Sequence, residues 1–219
     1  MFSHFKLVIF DLDGTLLNTI DDLGIACNHA LLSFGYPTHT LEEYKHLVGN
    51  GIDRLIFRAL PETERTEQIV KQLRTVFVNY YDSHCCDLTK PYAGMVMLVK
   101  SLIAQGVKVA VASNKYQSAA QKIVEYYFPC NQLIIKGQQE SVPVKPNPMV
   151  IDNIVSECRV AKSDVVLIGD SDVDIQTARN ANIKSIGVAW GFRGRAELEN
   201  AGADEVVDNV EQLNQLLFD

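Results

Sequence analysis

The segment Phe10–Leu16, FDLDGTL, sets two aspartates one residue apart directly behind the apolar residues Leu7, Val8 and Ile9. In an extended chain alternate side chains share a face, so Asp11 and Asp13 point to one side and Leu12 to the other. Two carboxylates at one site can divide the work of a nucleophile and of an acid that later turns base. The same residues also suit a plain Asp13-Gly14 turn with Asp11 capping a backbone group. Taken alone, the segment leaves both readings open.

Three more segments carry groups of complementary chemistry. VASNK (111–115) puts Ser113 behind an apolar run, where its hydroxyl and the N–H groups opening a following helix can hold an anion. VKPNP (144–148) places Lys145 ahead of two prolines that stiffen the loop around a cation. LIGDSDVD (167–174) ends an apolar run in Gly169 and Asp170, with Asp172 and Asp174 close behind. Such acidic clusters bind hard cations through oxygen. Each group also has an ordinary use, as helix cap or solvated charge. A nucleophile, an acid, a hydroxyl, a lysine and a metal carboxylate at the strand ends and loops of one sheet make coincidence a poor explanation.

The elements that must position them follow from apolar periodicity. Short runs rich in Val and Ile at 6–10, 107–112, 132–135, 165–169 and 185–189 read as strands buried on both faces, and 204–208 as a short edge strand. Helical spacing lies between them, as in Met95, Leu98, Val99, Leu102 and Ile103, and in Val150, Ile154, Val155 and Cys158 behind Pro148. A last helix is expected around Val210 to Leu217. This alternation predicts an α/β fold with a Rossmann-like parallel sheet. In such sheets ligands bind beyond the carboxyl ends of the strands, where the two aspartates fall.

Residues 16–87 break that rhythm. Ile20, Leu23, Cys27, Leu31 and Phe34 mark one amphipathic helix, with Thr19 and Asp22 offering a capping box and Gly35 and Pro37 an end. Thr40 with Glu43 opens a second helix, and Ile69, Leu73, Val76, Phe77 and Tyr80 mark a long third one. No strand is expected in this block. The chain therefore divides into a core, residues 1–15 and 88–219, and an inserted all-helical cap, residues 16–87.

Composition narrows the function classes. The 219 residues carry a formal charge of -7, and no basic block is interleaved with aromatics, which argues against nucleic acid as partner. No run approaches the roughly 18 apolar residues of a membrane span, and the N-terminus lacks a cationic start followed by a long apolar stretch, so a cytoplasmic protein with no membrane partner is expected. Cys27, Cys85, Cys86, Cys130 and Cys158 lack CxxC spacing and read as reduced thiols. The histidines are scattered, His39 and His46 in an apparent surface segment, and favour solvated or packing roles over metal ligation. Tyr36, Phe57 and Tyr80 suit packing of the cap better than a dimer surface, and the chain is expected as a monomer or homodimer.

With the DxDGT segment, the strand-ending serine, the lysine and the acidic GDxxxD in this order, the chain resembles the haloacid dehalogenase superfamily over nearly its whole length, helical insertion included. Within it, VGNGIDRLI (48–56), SNK, KPNP, GDSDVDIQTARNA (169–181) and GVAWGF (187–192) resemble the bacterial phosphoglycolate phosphatases.

That resemblance implies a Mg²⁺-dependent phosphomonoester hydrolase acting through an aspartyl-phosphate on a small phosphorylated metabolite, 2-phosphoglycolate first. Asp11 is then the nucleophile and Asp13 the acid and base. The metal ligands are Asp11, the backbone carbonyl of Asp13, and Asp170, with Asp174 in support and Asp172 merely exposed. Ser113 and Lys145 hold the phosphoryl oxygens, Lys145 also offsetting Asp11, Asn114 is a further substrate-binding candidate, and Gly14 and Thr15 contribute backbone contacts. In the cap, Gly49 and Gly51 let the backbone come close to a ligand. Arg54 is a candidate for a substrate carboxylate, though a solvated helix position suits it as well, and Lys115 is a comparable candidate. Related activities share the core residues: pyrophosphatase, sugar-phosphate or nucleotide phosphatase, and a phosphoglucomutase-like enzyme. Asp13 argues against the dehalogenase branch, which lacks the second aspartate. Arg54 rather than a lysine in the VGNGIDR loop argues against the Schiff-base phosphonate hydrolases, with Lys45 nearby as the remaining candidate amine. A non-catalytic binder of phosphorylated ligands is disfavoured because no core group is missing.

Overall fold

The computed structural model describes residues 5–140 and 142–218. Residues 1–4, read above for a leader, lie outside the described residues. In chain order the strands are β1 (Leu7–Phe10), β2 (Leu17–Asn18), β3 (Lys90–Pro91), β4 (Lys108–Tyr116), β5 (Ile134–Gln138), β6 (Val165–Gly169), β7 (Lys184–Val188) and β8 (Glu205–Val207). The helices are α1 (Ile20–Ser33), α2 (Leu41–Leu47), α3 (Ile52–Ala59), α4 (Glu67–His84), α5 (Met95–Ala104), α6 (Gln117–Tyr127), α7 (Met149–Cys158), α8 (Asp172–Ala181), α9 (Arg195–Ala201) and α10 (Val210–Phe218). The chain separates into two compact units, one running up to Leu17 and again from Pro91 on, the other Asn18–Lys90.

The first unit is a six-stranded sheet in the order β5-β4-β1-β6-β7-β8, every pair parallel. β1 lies between β4 and β6, with Leu7 opposite Lys108 on one side and Val165 on the other. Its four residues are fully buried, as a strand covered on both faces must be. On one face Leu7 and Ile9 pack with Val150, Ile151 and Ile154 of α7 and with Ala178 and Ala181 of α8. The chain leaves β1 towards β4 and β5, then returns to β6 on the other side. That reversal of strand order opens a crevice at the carboxyl ends of β1, β4 and β6.

Two expectations for this unit change. β4 does not end at residue 112 but runs to Tyr116, because β5 continues the ladder past an irregularity to the pair Tyr116 and Gln138. Ser113 therefore lies within the strand, and α6 opens only at Gln117, so no helix N–H groups follow the serine directly.

The second unit is helical, α1 to α4. Thr40 and Glu43 form the expected capping box on α2. Thr19 and Asp22 do not form one: Thr19 makes no side-chain cap bond, and Asp22 is buried. Its carboxylate instead accepts from Leu88 N, at 3.0 Å on one oxygen and 3.1 Å on the other, from Thr89 N at 2.8 Å and from Thr89 Oγ1 at 2.7 Å. Tertiary donors satisfied the carboxylate better than its own helix end did. The buried ridge of α4 is Val70, Leu73, Phe77 and Tyr81, one step round from the set expected, and Tyr80 is stacked between His29 and His84. Nor is the stretch free of strand, since β2 and β3 pair as two-residue strands.

Candidate functional site

The four segments meet at the carboxyl ends of the sheet. Asp11 leaves β1 with its N–H on Ile168 O at 2.8 Å, which ties the segment to β6. Leu12 O then accepts from the N–H groups of Thr15, Leu16 and Leu17, a tight loop that turns the chain around Gly14. Gly14 has φ of +84°, and a Cβ there would sit 2.3 Å from Asp170 Oδ2, so only glycine lets the loop close on that carboxylate.

Lys145 is the hub. Its ammonium lies 2.8 Å from Asp11 Oδ1 and 2.7 Å from Asp174 Oδ1, and donates to Ala112 O at 2.8 Å. Burial works against its charge, but Asp11 and Asp174 outweigh that and raise its pKa, so it stays an ammonium. Asn114, a substrate-binding candidate in the sequence, accepts from Lys145 N at 2.8 Å and donates to Lys145 O at 3.1 Å, engaging both ends of its amide on the lysine backbone. Asn180 donates to Pro146 O at 2.8 Å and holds the same loop from α8. Asp174 caps α8, its Oδ2 accepting from Ser171 Oγ at 2.6 Å and Ser171 N at 3.2 Å, and its other oxygen faces Lys145. The capping use and the site use are served by two oxygens of one carboxylate.

Asp170 is held by other donors. Phe192 N donates to its Oδ2 at 2.7 Å, and Thr15 Oγ1 lies 3.4 Å from its Oδ1. Burial, then the charges of Asp11 and Asp174, push its pKa well above the usual carboxylate range. Asp11 is pushed up to about 7, chiefly by burial and against the pull of Lys145. Asp13 Oδ1 lies 3.1 Å from Lys115 Nζ. Ser113 Oγ accepts from Lys115 N at 3.2 Å. Asp172 is half-buried and takes Gln176 Nε2 at 3.0 Å.

Carboxyl oxygens of Asp11, Asp170 and Asp174 lie within 4.8 Å of one another. Four carboxylates against two ammoniums, Lys115 and Lys145, leave two negative charges among buried or nearly buried groups. One divalent cation supplies the missing charge, and an all-oxygen donor set suits a hard one such as Mg²⁺. The residues present thus fit such an ion.

One contribution escaped sequence reasoning. The loop after β7 wraps Asp170: Trp190 Nε1 donates to Thr15 O at 3.2 Å, and a Cβ at Gly191 would meet Asp170 Cβ at 2.2 Å. Arg193 lowers the Asp170 pKa by its charge. Tyr92, 6.2 Å from Trp190 between ring centroids, has its pKa raised by burial and by the nearby Asp170 and Asp13. The sole available signal was the GVAWGF segment, to which no role was assigned.

In the helical unit, Gly49, Asn50 and Gly51 all have positive φ, and Arg58 pins that turn through Leu47 O, Gly49 O and Asn50 Oδ1. Arg54 is exposed on α3, its guanidinium carbon 6.0 Å from the centre of the Phe57 ring. Among the described residues no cysteine forms a disulfide. Among the described residues no helix is long and apolar enough to cross a membrane.

Residues 8–188 match the haloacid dehalogenase-like hydrolase family, and the chain belongs to it. It is 30% identical over 225 residues to the phosphoglycolate phosphatase of Haemophilus influenzae, covering 99% of this chain and 100% of that one. It is 29% identical over 218 residues to that of Vibrio parahaemolyticus, covering 97% and 96%. A crystal structure from Lactobacillus delbrueckii subsp. bulgaricus, of a protein provisionally named phosphoglycolate phosphatase, superposes with a TM-score of 0.91 at 34% identity, covering 98% of each chain. By these likenesses the chain is an enzyme of the phosphatase class.

Proposed function

We propose that this phosphatase hydrolyses a small phosphomonoester, 2-phosphoglycolate first among candidates, through an aspartyl-phosphate on Asp11. The observation that carries the reaction is the pairing of Asp11 with Lys145 in a buried site that also holds Asp170 and Asp174. Support for that substrate comes from the full-length likeness to relatives named phosphoglycolate phosphatase.

Asp11 Oδ attacks phosphorus while the ester P–O bond breaks, its electron pair leaving with the alcohol oxygen, which takes a proton from Asp13. Water then attacks the same phosphorus, returns a proton to Asp13 and releases Asp11 with inorganic phosphate. Lys145 holds Asp11 in the attacking position and, with Ser113, offers positive charge and a hydroxyl to the phosphoryl oxygens. Gly14 and Thr15 shape the loop in which the phosphoryl group is seated. Asp11, Asp170 and the Asp13 carbonyl would hold Mg²⁺, with Asp174 in support. When bound, the ion neutralises the carboxylates and the incoming phosphate. The helical unit Asn18–Lys90 is assigned the cap's part in substrate choice, with Arg54 as the candidate cation for a substrate carboxylate.

The test is phosphate release from 2-phosphoglycolate, sugar phosphates, pyrophosphate and nucleotides, with and without chelator, for the native chain and Asp11→Asn. Chelator-sensitive turnover led by 2-phosphoglycolate, and absent in a folded Asp11→Asn, is expected. Preference for another ester would move the substrate assignment. Full activity of Asp11→Asn would overturn the nucleophile.

A further inference from the structure

Two buried lysines enter the site, and the reaction as described uses one of them. Lys115 Nζ lies 3.1 Å from Asp13 Oδ1, and the Lys115 side chain is 3% exposed against 16% for Asp13. Asp13 is the more exposed partner of the pair. The lysine backbone is held as well, Lys115 N donating to Ser113 Oγ at 3.2 Å within the extended end of β4. Had β4 ended at residue 112, Lys115 would fall on the first turn of α6; the longer strand is what carries it to Asp13.

We propose that Lys115 is a positioning residue for Asp13, as Lys145 is for Asp11, and that its contact fixes the carboxylate where it must receive the proton of the attacking water. A carboxylate without this contact loses a restraint on its rotamer. This inference rests on the reading of Asp13 as the proton carrier. It assigns the two ammoniums separate duties, one to each aspartate of the DxD segment.

An aryl ester isolates the step concerned. 4-Nitrophenolate leaves without needing a proton, so the first transfer proceeds with Asp13 displaced, whereas hydrolysis of the aspartyl-phosphate still requires a base. With 4-nitrophenyl phosphate, Lys115→Met is expected to give a stoichiometric burst of 4-nitrophenolate followed by a steady rate reduced by about tenfold or more, within the roughly 10²–10⁴ that a positioned acid or base contributes. Asp13→Asn should give the same pattern, and Lys115→Met should add no further loss to it. Lys115→Arg should recover most of the steady rate, and the inhibition constant of inorganic phosphate should change less than about threefold.

A loss in Lys115→Met without a burst, or one that multiplies with Asp13→Asn, would overturn the proposal. So would a large weakening of phosphate inhibition, since that marks direct contact with the phosphoryl group. If Asp13→Asn itself shows no burst, the assignment of Asp13 fails first, and the two failures are thereby told apart. Should Lys115→Met not fold, Lys115→Gln supplies the same comparison, with the same outcomes for and against.

Discussion

The side-chain amide of Asn114 pairs with the backbone of Lys145 in both directions, accepting from its N–H at 2.8 Å and donating to its carbonyl at 3.1 Å. The pairing sets the direction in which the lysine leaves its loop, and hence its reach to Asp11. Each such bond is worth about 1 kcal/mol. Asn114→Ala is expected to lower kcat by about tenfold while the folded protein persists. Asn114→Asp keeps the accepted bond but sets a carboxylate against Lys145 O, and should do worse. Steady-state rates beside circular dichroism decide; an Asn114→Asp enzyme faster than Asn114→Ala would contradict the pairing.

Burial raises Asp11 to about 7 and Asp170 well above the usual range, so without metal the folded protein binds protons that the unfolded chain has released. Stability of the metal-free protein should therefore fall as pH rises from about 4 towards 7, and stay low above that. A bound divalent cation removes the reason for the protons. Thermal melting in chelator is expected to weaken across that window, with added Mg²⁺ raising Tm more at pH 8 than at pH 5. Equal shifts at both pH values would count against metal binding at these carboxylates.

Asp22 accepts from two backbone N–H groups and a hydroxyl in the helical unit. Asp22→Ala strands buried donors at about 1–3 kcal/mol each. A loss of about 3 kcal/mol in urea unfolding is expected. A change within 0.5 kcal/mol, the usual range for an ordinary surface substitution, would show that these bonds are replaced by water.

At Gly191 a Cβ would collide with the Asp170 side chain, 2.2 Å from its Cβ and 2.5 Å from Oδ2. Gly191→Ala should displace that carboxylate and raise the Mg²⁺ concentration for half-maximal rate by about tenfold. An unchanged metal requirement would place Asp170 outside the metal site.

Much of the core was legible because parallel strands announce themselves as short Val and Ile runs, and all six lie within a few residues of where the pattern puts them, although β5, expected to be covered on both faces, lies at the sheet edge and is mostly half-buried. The exceptions have local causes. Thr19 and Asp22 match a capping box in spacing, but the donors at Leu88 and Thr89, far along the chain, claimed the carboxylate. β4 outran its apolar stretch because Tyr116, beyond a register irregularity that follows Ala112, is paired with Gln138 of β5.

Residue types and spacing by themselves determined the alternation of strand and helix, the helical interruption, and the presence of two aspartates, a lysine and an acidic cluster at strand ends. Those are properties of local periodicity and side-chain chemistry, which a linear chain carries wherever it folds. Which ammonium serves which aspartate was decided only by the tertiary structure. Lys145 lies 134 residues from Asp11 in sequence yet 2.8 Å from it in space, and Lys115 reaches Asp13 only because neighbouring strands meet in one register. Partnership between charges falls off with distance in space, and the tertiary structure sets that distance.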